Sequence, residues 1–264
     1  MKIAIIGTGN LGYSIAIGIL TQKDFKVKNL YLTKREISSL SSWEKLPNVK
    51  ISTENKKAVR SSDIVIIAVQ PKQLQTVMEE IKSVVNSKKH TIISTVTGRK
   101  IAEIESFLGS DTAIIRAMPN TAISVGKSMT CISANPKGME NIELAKTIFN
   151  SSGKTLCIEE KLMQSATVIC ASGIAFWMRL IRATSQGAIQ LGFDAKEAQE
   201  LAMNTCLGAA SLLIQSGNHP EQEIDRVTTP SGCTIEGLNE MEHQGLSSSL
   251  IKGLVASYEK INQI

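Results

Sequence analysis

Short apolar runs alternate with amphipathic stretches through the first 158 residues. The first run, residues 2–6, is β-branched and apolar after its lysine, which is typical of a strand buried on both faces of a sheet. Similar runs predict strands at residues 29–32, 48–51, 63–69, 91–95, 112–117, 128–132 and 155–158. Helical periodicity lies between most of these runs. Strands that alternate with helices predict an α/β fold with a doubly wound, Rossmann-type parallel sheet.

The pattern changes at residue 159, where the strand-like runs stop. Apolar residues then recur at helical spacing over residues 162–190, 195–215, 221–227, 234–242 and 247–261. We therefore predict two domains, a Rossmann domain at 1–158 and an all-α domain at 159–264. Because one layer of helices would not bury this much apolar surface, the helical domain is predicted to mediate oligomerisation and to help bind substrate.

A glycine-rich segment, Gly7-Thr8-Gly9-Asn10-Leu11-Gly12, directly follows the first strand and opens the first helix. In a dinucleotide site, Gly7 permits the tight turn, Gly9 lets a pyrophosphate approach bare backbone, and Gly12 lets the helix lie close to the sheet. The phosphates bind at the positive helix N-terminus. The segment predicts a nucleotide cofactor site.

The end of the second strand indicates which nucleotide is bound. A site for NAD usually places an acidic residue there to hold the ribose hydroxyl. This chain has Thr33, Lys34 and Arg35, a hydroxyl and two cations, which suit a ribose phosphate. We predict NADP(H) as the cofactor, with NAD as an alternative. In the opposing interpretation, Lys34 and Arg35 are only a solvated helix start.

Composition excludes several classes of function. Among 264 residues, 42% are hydrophobic and 20% charged, as in globular proteins. The net charge of +5 without a basic run, and an aromatic content of only 4%, argue against nucleic-acid binding. The five cysteines form no C-x-x-C motif, so reduced thiols and no metal site are expected.

The apolar runs also bear on location. None is judged to approach the roughly eighteen residues that span a bilayer, so no membrane association is expected. The first strand begins directly after Met1, which leaves no room for a signal peptide. The prediction is a cytoplasmic protein.

Four segments occur in an order and at spacings typical of one enzyme family. They are the glycine loop, Ala68-Val69-Gln70-Pro71, residues 116–121 (Arg-Ala-Met-Pro-Asn-Thr) and residues 227–234 (Val-Thr-Thr-Pro-Ser-Gly-Cys-Thr). Together they resemble pyrroline-5-carboxylate reductase over essentially the whole chain. The resemblance implies NADPH-dependent reduction of the cyclic imine Δ1-pyrroline-5-carboxylate to L-proline, in proline biosynthesis. It also implies a homodimer, often assembled as a pentamer of dimers.

The resemblance implies site residues by position. Those for the cofactor are Gly7, Thr8, Gly9, Asn10, Leu11, Gly12, Thr33, Lys34, Arg35, Asn55, Ala68, Val69, Gln70, Pro71, Thr95, Val96 and Thr97. Those for the substrate are Ser172, Ser231, Gly232, Cys233 and Thr234. Since ligands bind parallel sheets at the carboxyl ends of the strands, the loops that hold Gly7, Thr33, Gln70 and Thr95 are expected at one edge.

Thr234 is the candidate catalytic residue. A cyclic iminium is already electrophilic, so its reduction needs orientation more than a strong acid. The Thr234 hydroxyl would be the partner of the ring nitrogen, and N–H groups at the helix start would bind the carboxylate. The opposing interpretation makes Thr234 a helix N-cap.

The three histidines argue against a hydroxy-acid dehydrogenase. His90 is placed on a surface loop, His219 in a turn and His243 near a helix end. None has the neighbouring carboxylate that holds an acid–base histidine in such enzymes. All three are therefore expected to be structural.

The chain departs from the family pattern near the inferred substrate site. Ile174 and Ala122 stand where the family has proline, and Ser231 and Cys233 stand where glycine and a small residue are usual. Ser231 must then fit a backbone position that glycine fits more easily. Two alternatives stay open. One is a relative acting on another cyclic imino acid or a small hydroxy acid; the hydroxy-acid enzyme would need a catalytic lysine in the long helix, where Lys161 lies too early among charged residues to fit. The other is a non-catalytic NADP-binding regulator.

Overall fold

The protein is described by a computed structural model that covers residues 1–21 and 27–263. Its sheet has eight strands in the order β3-β2-β1-β4-β5-β6-β7-β8. The strands are β1 Lys2–Ile6, β2 Asn29–Thr33, β3 Val49–Ser52, β4 Ile64–Ile67, β5 Thr91–Ser94, β6 Ala113–Met118, β7 Ser128–Ala134 and β8 Gly153–Cys157.

Helices follow most of the strands and then continue alone. They are α1 Asn10–Thr21, α2 Asn55–Arg60, α3 Leu74–Ile81, α4 Ile101–Leu108, α5 Pro136–Met139, α6 Ile142–Asn150, α7 Met163–Ala166, α8 Gly173–Gln190, α9 Ala195–Ser216, α10 Pro220–Val227, α11 Cys233–His243 and α12 Leu246–Ile261. A π-helical turn, Thr167–Ser172, connects α7 to α8. The change from strands to helices occurs where the sequence predicts it.

The sheet is covered on both faces. In β1, Ile3 and Ile5 belong to one buried cluster, whereas Ala4 and Ile6 belong to a second cluster on the other face. Successive side chains of a strand point to opposite faces, so two clusters require helices on both sides. The predicted doubly wound α/β architecture is confirmed.

Two strands, β7 and β8, run opposite to β1–β6. β7 pairs antiparallel with β6, while the remaining neighbours in the sheet pair in parallel. A parallel return needs a crossover of a dozen or more residues, and only residues 119–127 connect β6 to β7. The prediction of a wholly parallel sheet was therefore wrong from β7 onward.

The chain forms two compact units. One comprises Met1–Ser172 with the chain end from Tyr258, and the other comprises Gly173–Ser257. The first unit runs past the last strand because Met163, Ala166 and Val168 are buried. The predicted domain boundary at 158 and 159 marks the end of the strands and stays a prediction.

The helical stretch Glu160–Gln190 is long and apolar enough, by length and composition alone, to cross a membrane. The expectation that no apolar run approaches this length was wrong. Only 17% of its apolar window is buried in the single chain.

Candidate functional site

The predicted cofactor loops meet at one edge of the sheet. Ile6 at the end of β1 pairs with Thr33 of β2 and with Ile67 of β4, and Ile67 pairs with Ser94 of β5. The residues that follow these strand ends therefore lie side by side. This confirms the expectation that the loops at Gly7, Thr33, Gln70 and Thr95 share the carboxyl edge.

Two glycines of the loop are required by close packing. Gly7 has φ +92°, and a Cβ there would lie 2.5 Å from Val69 Cγ1 and 2.9 Å from the Ala68 oxygen. A Cβ on Gly12 would collide with the Gly7 carbonyl oxygen. A side chain at either position would push α1 or the β4 loop out of place.

Gly9 has a different role. A Cβ built there would meet nothing within 4 Å, and the residue is exposed just before α1 begins at Asn10. The first N–H groups of a helix have no partner within it and attract anions. Bare backbone beside a helix N-terminus fits a pyrophosphate.

The Thr33 carbonyl holds the loop to the sheet. It accepts hydrogen bonds from the Gly7 N–H at 3.1 Å, the Thr8 N–H at 2.8 Å and the Thr8 hydroxyl at 3.1 Å. Thr8 is 1% exposed. Its side chain therefore fixes the loop and leaves only backbone for a ligand.

The Thr33 side chain is also committed within the protein. It is buried, and its hydroxyl donates to Asn55 Oδ1 at 2.6 Å. The Asn55 Nδ2 in turn donates to Glu80 Oε2 at 2.8 Å. A hydroxyl contact to a ribose phosphate would require this bond to break, so Thr33 and Asn55 are oriented as a pair. Sequence analysis missed Glu80, since no motif marks it.

The two cations after Thr33 are more accessible. Arg35 is exposed, and the half-buried Lys34 donates through Nζ to Ser39 Oγ at 2.7 Å. Neither Thr33, Lys34 nor Arg35 can supply the carboxylate of an NAD ribose site. The arrangement fits a phosphate in that position.

The loops after β4 and β5 complete the edge. The Ala68 N–H donates to the Ile6 oxygen at 2.8 Å, and the Thr95 N–H and hydroxyl donate to the Ile67 oxygen at 2.9 and 3.0 Å. Val96 is buried. Pro71 opens a short 3₁₀ turn before α3, and the Gln70 N–H donates to Gln73 Oε1 at 3.1 Å. Thr97 is half-buried beside Val96.

The predicted substrate turn lies in the second compact unit. Ser231 has φ 55°, the one positive φ recorded for a non-glycine residue in the described chain. This confirms the expectation that Ser231 occupies a backbone position suited to glycine. Gly232 is the N-cap of α11, and no side chain caps this helix, so the N-cap interpretation of Thr234 was wrong. Ser231, Cys233 and Thr234 are exposed.

Ser172 ends the π-helical turn. The Asn120 Nδ2 donates to the Cys170 oxygen within this turn at 3.0 Å. Single π-helical turns in α-helices are frequent at functional sites because they displace the following residues. As expected from its sequence, Ile174 continues the helix.

The Asn120 side chain also explains a departure from the family pattern. Its Oδ1 accepts the Ala122 N–H at 3.0 Å and caps the 3₁₀ helix Thr121–Val125. Proline at residue 122 could not donate this bond. Alanine at residue 122 has the N–H that proline lacks, and this N–H completes the cap of the 3₁₀ helix.

An ion pair joins the buried Arg116 of β6 to Glu160, the first residue of the helical stretch Glu160–Gln190. Arg116 is 2% exposed, and its Nη1 lies 3.2 Å from Glu160 Oε1. The same Oε1 accepts the Ile101 N–H at 2.7 Å. Burial lowers the pKa of Arg116, which the bond to Glu160 opposes. Arg116 is thus a structural residue, and Glu160 was not identified from sequence.

His90 was misplaced by the sequence analysis. It is 3% exposed, and its Nδ1 accepts the Asn86 N–H at 2.9 Å. Burial, and then the Lys89 charge, lower its pKa, so the ring is neutral near pH 7. His219 accepts the Glu221 N–H at the start of α10. Within the described ranges no group of three or more potential metal ligands occurs.

Comparison with protein families gives two matches that divide the chain. Residues 160–264 match the family described as pyrroline-5-carboxylate reductase dimerisation. Residues 2–98 match the family described as NADP oxidoreductase, coenzyme F420-dependent. The two halves found by hydrophobic pattern thus carry separate family signatures.

Individual relatives match across both halves. Pyrroline-5-carboxylate reductase 1 of Dictyostelium discoideum is 44% identical over 98% of this chain, which spans about half of that relative (49%). Pyrroline-5-carboxylate reductase 2 of the same organism is 43% identical, with 98% of this chain and 91% of the relative covered. The NADP-bound pyrroline carboxylate reductase of Plasmodium falciparum has a TM-score of 0.89 at 25% identity and covers 100% of this chain and 97% of its own.

Proposed function

The chain belongs to the pyrroline-5-carboxylate reductase family, and from this premise we propose that it reduces Δ1-pyrroline-5-carboxylate to L-proline with NADPH. The observation that carries the proposal is the 43% identity to a named reductase over nearly the full length of both chains. The proposal includes the substrate turn as well as the cofactor loop, since the match covers both.

The cofactor edge fits NADPH by its own geometry. The exposed Gly9 and the first turn of α1 would hold the pyrophosphate, and Arg35 with Lys34 would hold the ribose phosphate. When bound, the reduced nicotinamide supplies the hydride. The Ala68–Pro71 and Thr95–Thr97 loops would position the ring, and Val96 of the second loop is buried.

The turn before α11 would orient the imine. N–H groups at the start of this 11-residue helix suit a carboxylate. The Thr234 hydroxyl would bond the ring nitrogen as the imine becomes an amine. We assign catalysis to Thr234 because its side chain is exposed and caps nothing. Orientation of an electrophile that is already activated is sufficient for this reduction.

A comparison of two substrates tests the proposed function. Purified protein is given NADPH with either pyrroline-5-carboxylate or its six-membered homologue, and both NADPH consumption and the imino acid product are measured. We expect faster turnover of the five-membered ring and formation of proline. Preference for the larger ring would instead favour the relative suggested by Ile174, Ala122 and Ser231. NADPH binding without turnover of either imine would favour a regulator.

The choice of cofactor has a separate test. Arg35→Glu should weaken NADPH binding by about tenfold, the size expected for one lost charge-assisted contact, and leave NADH binding nearly unchanged. Lys45→Glu, an exposed cation outside the site, is the matched control. Equal weakening of both nucleotides would contradict the assignment of Arg35 to the phosphate.

We also propose that the chain acts as a cytoplasmic homodimer, with a pentamer of dimers as its larger assembly. The match to the pyrroline-5-carboxylate reductase dimerisation family begins at residue 160, where the long apolar helical stretch also begins. Exposed apolar side chains such as Leu207, Leu212 and Ile214 continue in α9. A second chain would cover these surfaces, whereas insertion of Glu160–Gln190 into a membrane would place Arg179 and Arg182 in lipid. Light scattering of the purified protein measures the assembly.

A further inference from the structure

Two thiols that are far apart in sequence meet in the first compact unit. Cys131 lies in β7 and is 3% exposed, whereas Cys170 lies in the π-helical turn and is half-buried. Their Sγ atoms are 4.0 Å apart although the residues are separated by 39 positions. Met118, Met163 and neighbouring apolar groups surround them. No step of the proposed reduction uses this pair.

The two thiols differ in reactivity. Either thiol could donate across the 4.0 Å Sγ–Sγ contact; with Cys131 as the donor, this hydrogen bond lowers the pKa of Cys170 to about 7. The same bond, together with burial, raises the pKa of Cys131. The lowered pKa favours the thiolate of Cys170, the form that attacks peroxides. Cys131 stays a thiol beside it.

We propose that Cys131 and Cys170 form a peroxide-reactive dithiol, a modification site where Cys170 is oxidised and Cys131 converts the product into a disulfide. The Cys170 thiolate attacks hydrogen peroxide, the O–O bond breaks, and a sulfenic acid and hydroxide form; the hydroxide takes up a proton to become water. Cys131 then attacks the sulfenic sulfur and releases a second water. The pair loses two electrons and two protons, and one peroxide becomes two waters.

The geometry allows the second step with a small movement. A disulfide requires its sulfur atoms at about 2.05 Å, so the two Sγ atoms must approach by roughly 2 Å. The bond would tie β7 to the turn that carries Ser172, whose position also depends on the contact between Asn120 and the Cys170 oxygen. Oxidation is therefore expected to reduce turnover, an effect that rests on the proposed function.

The chemistry is tested on the full-length protein without an activity assay. Reduced protein is treated with one equivalent of hydrogen peroxide, free thiols are alkylated, and unreduced peptides are mapped by mass spectrometry. We expect one dominant cross-link, between the peptides of Cys131 and Cys170, and the same result in Cys157→Ser. Oxidation confined to the exposed Cys157 and Cys233, or an equal mixture of cross-links, would overturn the proposal.

Two variants of Cys131 separate its two roles. Cys131→Ser keeps a hydrogen-bond donor, so Cys170 should still react but should stop at a sulfenic acid that dimedone traps. Cys131→Ala removes the donor, and alkylation of Cys170 at pH 7 should slow about fivefold as its thiolate fraction falls. Equal Cys170 alkylation rates in wild type and both variants would contradict the proposed activation. The rate of imine reduction is measured separately; peroxide should lower this rate, and dithiothreitol should restore it.

Discussion

The cofactor edge and the turn before α11 are built in opposite ways. At the edge, the Thr8 and Thr33 side chains are buried, and both are hydrogen-bonded within the first compact unit. At the turn, Ser231, Cys233 and Thr234 are exposed, Ser231 carries a strained φ, and the helix lacks a side-chain cap. The first region is complete in a single chain, while the second presents polar groups that nothing in its own unit uses.

This difference separates stability from selectivity. Substitutions at the closely packed positions of the cofactor edge, Gly7 and Gly12, should disturb folding, because a side chain there would collide with neighbouring atoms. Substitutions at the turn should alter chemistry with little effect on folding, because few contacts are lost. Departures from the family pattern lie near the inferred substrate residues, which fits a region that can change without loss of the fold.

Removal of Glu160 should have the largest effect on the first unit. Glu160→Ala leaves the Arg116 charge buried without its partner and also frees the Ile101 N–H, so we expect a loss of about 2–3 kcal/mol of unfolding free energy. Glu159→Ala is the control, since its exposed pair with Lys161 should contribute less than about 0.5 kcal/mol. Denaturant unfolding measures both. Equal losses of unfolding free energy in the two variants would show that the Arg116–Glu160 pair contributes no more stability than the exposed Glu159–Lys161 pair.

Two glycines of one loop should show different defects. Gly12→Ala forces a methyl group against the Gly7 oxygen and should cost about 2 kcal/mol of stability. Gly9→Ala meets no protein atom, so it should fold normally and yet weaken NADPH binding by about tenfold. Unfolding and nucleotide titration on the same samples compare them. Normal NADPH binding by Gly9→Ala would contradict the placement of the pyrophosphate beside Gly9.

Ser231→Gly should stabilise the second unit by about 1 kcal/mol, because glycine adopts a positive φ without steric cost. Ser211→Gly, within α9, should instead destabilise it by about 0.5 kcal/mol. Thermal unfolding compares the two variants. A lower melting temperature for Ser231→Gly would show that its side chain has a stabilising contact.

The sequence predicts local features of this fold better than long-range ones. Apolar runs locate the strands, and the glycine pattern identifies Gly7 and Gly12 because steric limits act over a few residues. The reversal of β7 depends on the short connection after β6, which periodicity does not measure. His90 is preceded by two lysines, yet packing around β5 buries it.

Pairings between distant residues were not predictable from one sequence. Thr33 was predicted to meet the cofactor through its hydroxyl, but in the fold this hydroxyl donates to Asn55, which in turn donates to Glu80. Cys131 and Cys170 have no motif spacing and meet only because β7 packs against the π-helical turn. Ser231 was the exception. It stands where the family has glycine, and this position indicated the positive φ that the structure shows.

The most direct test of the separation between the two regions is one variant with two measurements. In Thr234→Ala, NADPH affinity should stay within about twofold of wild type, because the cofactor edge lies wholly in the first unit. Its kcat for the reduction of pyrroline-5-carboxylate should fall by at least about tenfold, which corresponds to 1.4 kcal/mol of lost transition-state binding. Unchanged turnover, or an equal loss of NADPH binding, would contradict the account.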